Sequence, residues 1–431
     1  MNHDTPNGHA PIACHECDLL QRQASVPLGG VLRCRRCKAE LYRNHPHSLD
    51  RSLALALASL VLLVVSNVFP IVGLSVNGTV VQTTLIGAVR ILYLDGMWPL
   101  AALVFITTVL VPVLQVAALL WMLVPLRLGH VPWAVPSAFR LWRRTVPWGM
   151  TEVLILGLLV ALVKLAHIAS VVLDVSLWTF GALMVVLAAA SAAFDTRKLW
   201  ARIADLRATG ESDGLPLSMP HGAVTAAQAG LVSCHACGLV ARMPAHAHDV
   251  VCPRCGSPMH TRVPNSLSQT WALIFAAALL YIPANVLPVM YTSSLFGAQK
   301  DTILSGVVYL WVSGSEPLAI VVFIASIAVP MLKILALSYL AISVQFHRFH
   351  WPFMQRARIY RVVEFVGRWS MLDIYVITML VALVQFRALA TIKAGPAAIA
   401  FGAVVVLTMF AALKFDPRLI WDAMEDDRAR K

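Results

Sequence analysis

The sequence predicts an all-α polytopic membrane protein with eight transmembrane helices in two tandem, parallel four-helix modules, each preceded by a small four-cysteine unit. Three observations predict it. The 431 residues are 59% hydrophobic and 13% charged, with a mean hydropathy of +0.74, which is too apolar for a soluble chain of this length. All eight cysteines fall in Cys-x-x-Cys knuckles, two knuckles before each of two hydrophobic sets. The apolar segments also repeat: Ser66-Asn67-Val68-Phe69-Pro70 returns as Ala284-Asn285-Val286-Leu287-Pro288, 218 residues later, and 84–119 aligns without a gap on 302–337. Each half closes alike, on Phe194-Asp195-Thr196-Arg197 and on Phe415-Asp416-Pro417-Arg418. Self-similarity of this kind marks one unit used twice.

Residues 1–48 form the first cysteine unit. The chain opens on a polar Cys/His-rich stretch rather than a basic segment and a short apolar core, so no cleavable signal peptide is expected and the N-terminus should stay cytoplasmic. Cys14/Cys17 and Cys34/Cys37 stand 16 residues apart, the spacing of a zinc ribbon in which four thiolates surround one ion tetrahedrally. A reduced cytoplasm favours metal over disulfides. Four thiolates also admit iron, and a thiol redox pair is the third reading. Four cysteine ligands leave no open coordination position, so a structural ion is expected. His15 and His235, inside the first knuckle of each unit, read as neighbours of the site rather than ligands. Units of about 30 residues have too little core to stand without metal and should brace the cytoplasmic helix ends.

Residues 49–200 form the first membrane module, with spans expected at 52–72, 99–125, 150–172 and 177–194, because hydrocarbon demands helices of about 20 apolar residues. Arg127, Arg140, Arg143 and Arg144 put the second loop in the cytoplasm by the positive-inside rule. The segment 73–98 then faces the other side, where its Gly/Thr/Val content suggests short strands and an interfacial helix. Asn67 and Pro70 close the first span, and proline frees a carbonyl that asparagine can satisfy, which implies a kink or unwound end. Substrate contact is the other reading. Residues 201–228, with Gly210, Gly214 and Pro216, read as a linker.

Residues 229–263 form the second unit, with Cys234/Cys237 and Cys252/Cys255 set 14 residues apart. Residues 264–421 form the second membrane module, with spans at 269–290, 317–343, 370–391 and 397–415, the pair Asn285/Pro288, an external segment 291–316, and Arg348, Arg356, Arg358 and Arg361 in its cytoplasmic loop. An even number of spans per half makes the repeats parallel rather than inverted. A polar tail, 422–431, ends in the cytoplasm. The net charge of +12 resides in short juxtamembrane loops, so topology and anionic lipid headgroups account for it and no nucleic-acid partner is implied. No Walker motif or Gly-rich phosphate loop is present, so no nucleotide is expected.

Polar side chains inside the expected spans cost too much in hydrocarbon to be incidental. The second module has Ser326 and Lys333 on one face of its second span, Ser370 and Asp373 on one face of its third, and Thr408 in its fourth. At about 1.5 Å per residue, Lys333 lies about 24 Å below the external surface, a depth at which it could meet Asp373. Such a pair can be a structural tie, a proton relay or a substrate contact. The first module has Thr108, Gln115, Gly149 and Glu152 at the same positions, without the lysine, which points to the second module as the working one.

The paired cysteine units, the Asn-x-x-Pro ends, the Gly96-x-Trp98-Pro99 and Gly314-x-Glu316-Pro317 turns and Pro330-x-x-Lys333 together resemble the paraquat-inducible protein A family. The resemblance runs from Cys14 to Trp421. It implies a multi-pass protein of the bacterial inner membrane with both termini cytoplasmic, tetraspanin-like helix modules, and a polar pocket at Ser326, Lys333, Ser370, Asp373 and Thr408. It also implies lipid traffic with a periplasmic MCE-domain protein and membrane phospholipids as partners, and no enzymatic activity. A non-transporting anchor for that partner and a redox membrane protein are the competing readings.

Overall fold

The computed structural model describes residues 11–76, 79–149, 155, 157, 170–207, 225–242, 250–294, 297–312, 314, 316–346, 352–367, 375–376, 385–386 and 390–422. The first cysteine unit is two antiparallel hairpins, β1 (Pro11–Ala13) with β2 (Leu20–Arg22) and β3 (Val31–Arg33) with β4 (Glu40–Arg43). A knuckle sits at each hairpin turn.

From there α1 (Ser48–Val68) runs to a hairpin of β5 (Val72–Val76) and β6 (Thr79–Thr83), followed by α2 (Leu85–Leu94) and the long α3 (Trp98–Arg127). The expected end of the first span at 72 is too late. Pro70 disfavours helical backbone in the residue before it, Phe69 turns extended (φ −88°, ψ 152°), and the helix stops at Val68. Thr84 caps α2 by accepting from the Gly87 N–H at 3.0 Å, and Gly96 makes the turn into α3 at φ +80°, a backbone that side chains resist.

After α3 come the amphipathic α4 (Val135–Thr145), β7 (Ser170–Leu173), α5 (Val175–Ala193) and α6 (Thr196–Leu206). The boundary expected at 200/201 cuts α6, because Asp195 opens a helix there by accepting from the Arg197 N–H at 2.9 Å. The second half follows the same order. β8 (Leu231–Ser233) pairs with β9 (Val240–Arg242), and β10 (Val250–Val251) with β11 (Pro258–Met259). Then come α7 (Ser266–Val286), β12 (Met290–Ser294), β13 (Gly297–Asp301), α8 (Ile303–Val312), α9 (316–345), α10 (Phe353–Gly367), β14 (Gln385–Phe386), β15 (Ala390–Ala394) and α11 (Pro396–Lys414).

The chain is a mostly helical, polytopic membrane protein. Among the described residues six helices are long and apolar enough to cross a membrane: α1, α3, α5, α7, α9 and α11. The other two expected spans, 150–172 and 370–391, lie largely outside the described residues. Where their far ends are described they are strands, at Ser170–Leu173, Gln385–Phe386 and Ala390–Ala394. Those strands reach across the sequence: β7 joins β5 antiparallel, with Val72 opposite Leu173, and β15 joins β12, with Met290 opposite Ala394. Gly395 makes the second junction possible, since a Cβ there would stand 2.2 Å from the Pro288 carbonyl oxygen.

Small side chains set the helix pairs. The face of α1 that packs on α5 is Ser48, Ser52, Ala56, Ser59, Leu63 and Ser66, a stripe that lets backbones approach closely where lipid offers no hydrophobic drive for association. Ser176 of α5 donates to the Ser66 carbonyl at 2.6 Å. α7 packs along α11 in the same way through Ser266, Thr270, Ile274, Ala277 and Ala284. At the strand end the two halves share one core, in which Leu63, Leu92 and Phe180 meet Ala284, Phe401 and Val405. Inside that core the buried Tyr375 hydroxyl donates to Thr107 Oγ1 at 2.8 Å.

At the opposite end the packing is crossed. The first cysteine unit shares its core with Leu340, Ala357, Phe415, Ile420 and Trp421 of the C-terminal half. The second shares its core with Leu123, Phe139, Trp142 and Trp200 of the N-terminal half. Equivalent arginines hold both crossings: Arg361 of α10 donates to the Cys37 carbonyl at 2.7 Å, and Arg140 of α4 donates to the Gly256 carbonyl at 2.6 Å. The hairpin β3–β4 also returns to its own half, where the Arg197 guanidinium lies 4.1 Å from the Tyr42 ring centre.

Candidate functional site

Lys333 is placed by a proline. α3 and α9 each contain one π-helical turn, Ile106–Leu110 and Ile324–Ala328, at equivalent positions. In each, a proline follows two residues later, Pro112 or Pro330, and lacks the N–H that the carbonyl four residues earlier would accept. The Val111 and Val329 N–H groups reach back five residues instead, to the Ile106 and Ile324 carbonyls. A π turn rotates the rest of the helix relative to its start and often accompanies function. Tyr281 of α7 donates to the Ile327 carbonyl at 3.0 Å, tying a second helix to this irregular turn.

One turn further on, Lys333 is 2% exposed and its ammonium donates to Thr408 Oγ1 of α11 at 2.9 Å. Thr408 is fully buried and itself donates to the Val405 carbonyl at 3.0 Å. Gly367, the last residue of α10, adds a third wall: a Cβ at that position would sit 3.9 Å from Lys333 Nζ. Ser326 is fully buried as well, but it donates to its own helix at the Val322 carbonyl, 2.6 Å away. It stands seven residues, about 10 Å, from Lys333 along the axis. The structure thus brings Lys333 and Thr408 together. Ser370 and Asp373 lie outside the described residues.

The N-terminal half holds a neutral version. Gln115 stands at the position of Lys333, 3% exposed, and donates to the Thr145 carbonyl at 2.9 Å. Thr108 bonds back to the Val104 carbonyl as Ser326 does to Val322. Glu152 lies outside the described residues. Asn67 and Asn285 sit in the last turns of α1 and α7, each donating to the carbonyl four residues earlier, Leu63 or Tyr281, at 2.8 Å. Pro70 and Pro288 follow immediately past the helix ends.

Each cysteine unit gathers four buried sulfurs. Cys14 Sγ lies 3.4 Å from Cys37 Sγ and Cys17 Sγ 3.5 Å from Cys34 Sγ. In the second cluster Cys234 lies 3.5 Å from Cys255, and Cys237 3.6 Å from Cys252. A tetrahedral ion with bonds of about 2.3 Å requires sulfurs about 3.8 Å apart, so both clusters fit a metal ion with only a small outward movement, and all ligand atoms lie within 4.8 Å of one another. These separations are far too long for disulfides. His235 is exposed at the surface of its knuckle, beside the cluster rather than in it.

The sequence profile described as Paraquat-inducible protein A matches twice, at residues 49–204 and 267–425. The chain belongs to the paraquat-inducible protein A family. "Intermembrane transport protein PqiA" of Escherichia coli (strain K12) is 36% identical over 421 residues, covering 95% of each chain. "Lipophilic envelope-spanning tunnel protein A" of the same strain is 29% identical over 418 residues, covering 97% of this chain and 92% of the relative. The "Probable intermembrane transport protein" of Haemophilus influenzae is 28% identical over 430 residues, covering 97% of both. No solved structure matches the chain significantly. Two of these relatives of the paraquat-inducible protein A family are named as transport proteins and one as a tunnel protein, and none as an enzyme.

Several groups in this family member escaped the sequence reading. Tyr281 and the Tyr375–Thr107 bond are single positions without a repeat partner of the same type, so the internal duplication hid them. The π turns were signalled by Pro112 and Pro330. A buried ion pair was also missed: Arg418 and Asp416, each 1% exposed, meet at 2.9 Å. Asp416 also accepts from the Val263 N–H at 3.0 Å, fastening the second cysteine unit to the end of α11. Burial opposes the Asp416 charge, but the Arg418 hydrogen bond and charge outweigh it and hold the carboxyl below its usual value.

A depressed folded pKa means this contribution is complete above the unfolded value of about 4 and is lost as pH falls through the folded pKa. Asp416→Asn is therefore expected to cost about 3 kcal/mol at pH 7 by orphaning Arg418. That deficit should shrink on acidification below about pH 4, as read by thermal unfolding in detergent across pH. A deficit constant with pH would show that the charge is not what stabilises.

Proposed function

We propose that the chain is an inner-membrane subunit of a lipid-trafficking system, passing lipid between the inner membrane and a periplasm-spanning MCE-domain partner. The observation that carries this reading is the Lys333–Thr408 hydrogen bond, an ammonium buried among apolar helices. A cation there costs several kcal/mol, and phospholipid headgroups carry the anion it would meet. Ser326, Ser370 and Asp373 complete the polar set in this reading, with Asp373 as proton or charge partner. The names of the relatives, which refer to intermembrane transport and an envelope-spanning tunnel, support it.

The finer architecture is part of the same proposal: eight spans in two tandem modules, both termini cytoplasmic, and two zinc ribbons. Cys14, Cys17, Cys34 and Cys37 would hold one Zn2+ and Cys234, Cys237, Cys252 and Cys255 the other. The ion would serve as a cross-link with no open position. Asn67, Pro70, Asn285 and Pro288 end the first span of each half where strands begin.

The test uses a Gram-negative strain lacking its own family members and sensitive to lipophilic compounds. Expression of this chain with its envelope partner should restore the barrier, and a photo-reactive phospholipid should cross-link to residues near Lys333. Purified protein should be colourless with two zinc ions per chain. Barrier rescue without any lipid adduct would favour the anchor reading, and a visible absorbance band would favour the redox one.

A further inference from the structure

α10 packs on the first cysteine unit and also on the two helices that carry Lys333 and Thr408. On its outer side, Arg361 Nε donates to both carboxylate oxygens of Glu16, at 2.8 and 3.0 Å, while Nη2 donates to the Cys37 carbonyl at 2.7 Å. Glu16 is 8% exposed, so this is a partly desolvated, forked pair. On its inner side, the Tyr360 ring packs 5.7 Å from that of Phe415, and Val363 packs with Leu337 and Ala411. Leu337 is one turn from Lys333 and Ala411 one turn from Thr408. At its end, Gly367 backs the Lys333 ammonium.

We propose that Arg361 is a positioning residue for Lys333: by gripping Glu16 and the Cys37 carbonyl, it lets the N-terminal cysteine unit clamp α10, so that Gly367 walls the ammonium into its bond with Thr408. The asymmetry of the two crossings supports this. Arg140 makes a similar grip on the Gly256 carbonyl, one residue past the counterpart of Cys37, but Ala236 occupies the position of Glu16, and the side chain behind that crossing is the neutral Gln115. Among the described residues the charged clamp is found only on the half that holds the lysine. Its importance to transport rests on the functional reading above, whereas its geometry does not.

Full-length protein is compared as the natural chain, Arg361→Glu, the milder Arg361→Gln, Glu16→Arg, the double exchange Glu16→Arg with Arg361→Glu, and Arg140→Glu. Two quantities are read: amine labelling of Lys333 by mass spectrometry in purified protein, and barrier rescue at matched membrane abundance. Each single change at the clamp is expected to raise Lys333 labelling, at least about fivefold for the charge reversals, and to lower rescue. The double exchange should recover part of both, by restoring the ion pair but not the bond to the Cys37 carbonyl, which a merely damaged fold would not do. Arg140→Glu should leave Lys333 labelling unchanged.

Unaltered labelling in both Arg361 variants would overturn the proposal, as would a double exchange no better than its components. If labelling shifts and recovers while Lys333→Ala itself rescues fully, the clamp stands and the transport role of the lysine falls.

Discussion

Replacing Lys333 with methionine is expected to abolish barrier rescue while leaving the protein at normal membrane abundance and at least as stable as before. The two effects separate because they have different causes. An ammonium at 2% exposure is a burden on the fold, and exchanging buried charge for an apolar side chain of similar volume is commonly neutral or stabilising, by about 1 kcal/mol or more. Its retention then needs a functional reason. Thermal unfolding in detergent and rescue at matched abundance give the two readouts, and rescue should fall at least about tenfold, or 1.4 kcal/mol. Thr408→Val should lower both, since it removes the hydroxyl that accepts from the ammonium while leaving the charge buried, at a cost of about 1–3 kcal/mol. If Lys333→Met rescues fully, Lys333 is a structural tie and the anchor reading takes precedence.

The second large effect is expected from breaking the first cysteine cluster with Cys14→Ala and Cys37→Ala together. A structural zinc ion of the kind proposed would supply about 10 kcal/mol or more to the folding of a small unit, so this unit should unfold, and with both clusters loaded the metal content should fall by one ion per chain. The less obvious outcome is where the damage appears. Because the cluster packs on Leu340, Ala357, Phe415 and Trp421, protease sites in α10 and after α11 should open, while α4 stays protected. The mirror variant, Cys252→Ala with Cys255→Ala, should expose α4 and α6 instead. Damage confined to the half adjoining the altered cysteines in sequence would contradict the crossed packing.

The repeated motifs and composition made the membrane class, the helix order and the four-cysteine groups legible. These depend on local pattern: apolar length for the spans, Cys-x-x-Cys spacing for the clusters, proline for the helix ends. The choice of Lys333 and Thr408 also followed from local reasoning, since polar atoms in apolar helices stand out. What was not legible is long-range. No periodicity tells β7 to join β5, or β15 to join β12, at close to 100 residues' separation, and the apolar character of Ser170–Leu173 made it read as helix. The crossing of the cysteine units was equally hidden, because both halves carry the arginine that could hold either unit, Arg140 and Arg361. Inside the first knuckles the one difference is Glu16 against Ala236, and a single acidic side chain carries no pairing rule.

The crossed contacts also determine what a shorter chain could do. One cysteine unit followed by one set of helices would have Arg361-type and Trp421-type docking surfaces, yet its own unit would be positioned to serve someone else's. Such a half could satisfy its contacts only by exchanging units with a second copy about a two-fold axis, as a swapped dimer. The full-length chain encloses that dimer in one polypeptide, so the two halves can diverge, one keeping glutamine and the other lysine, without ever assembling with the wrong mate. It also means that the first cysteine unit, once made, waits for about 380 more residues, some tens of seconds of synthesis, before the surface that receives it is complete.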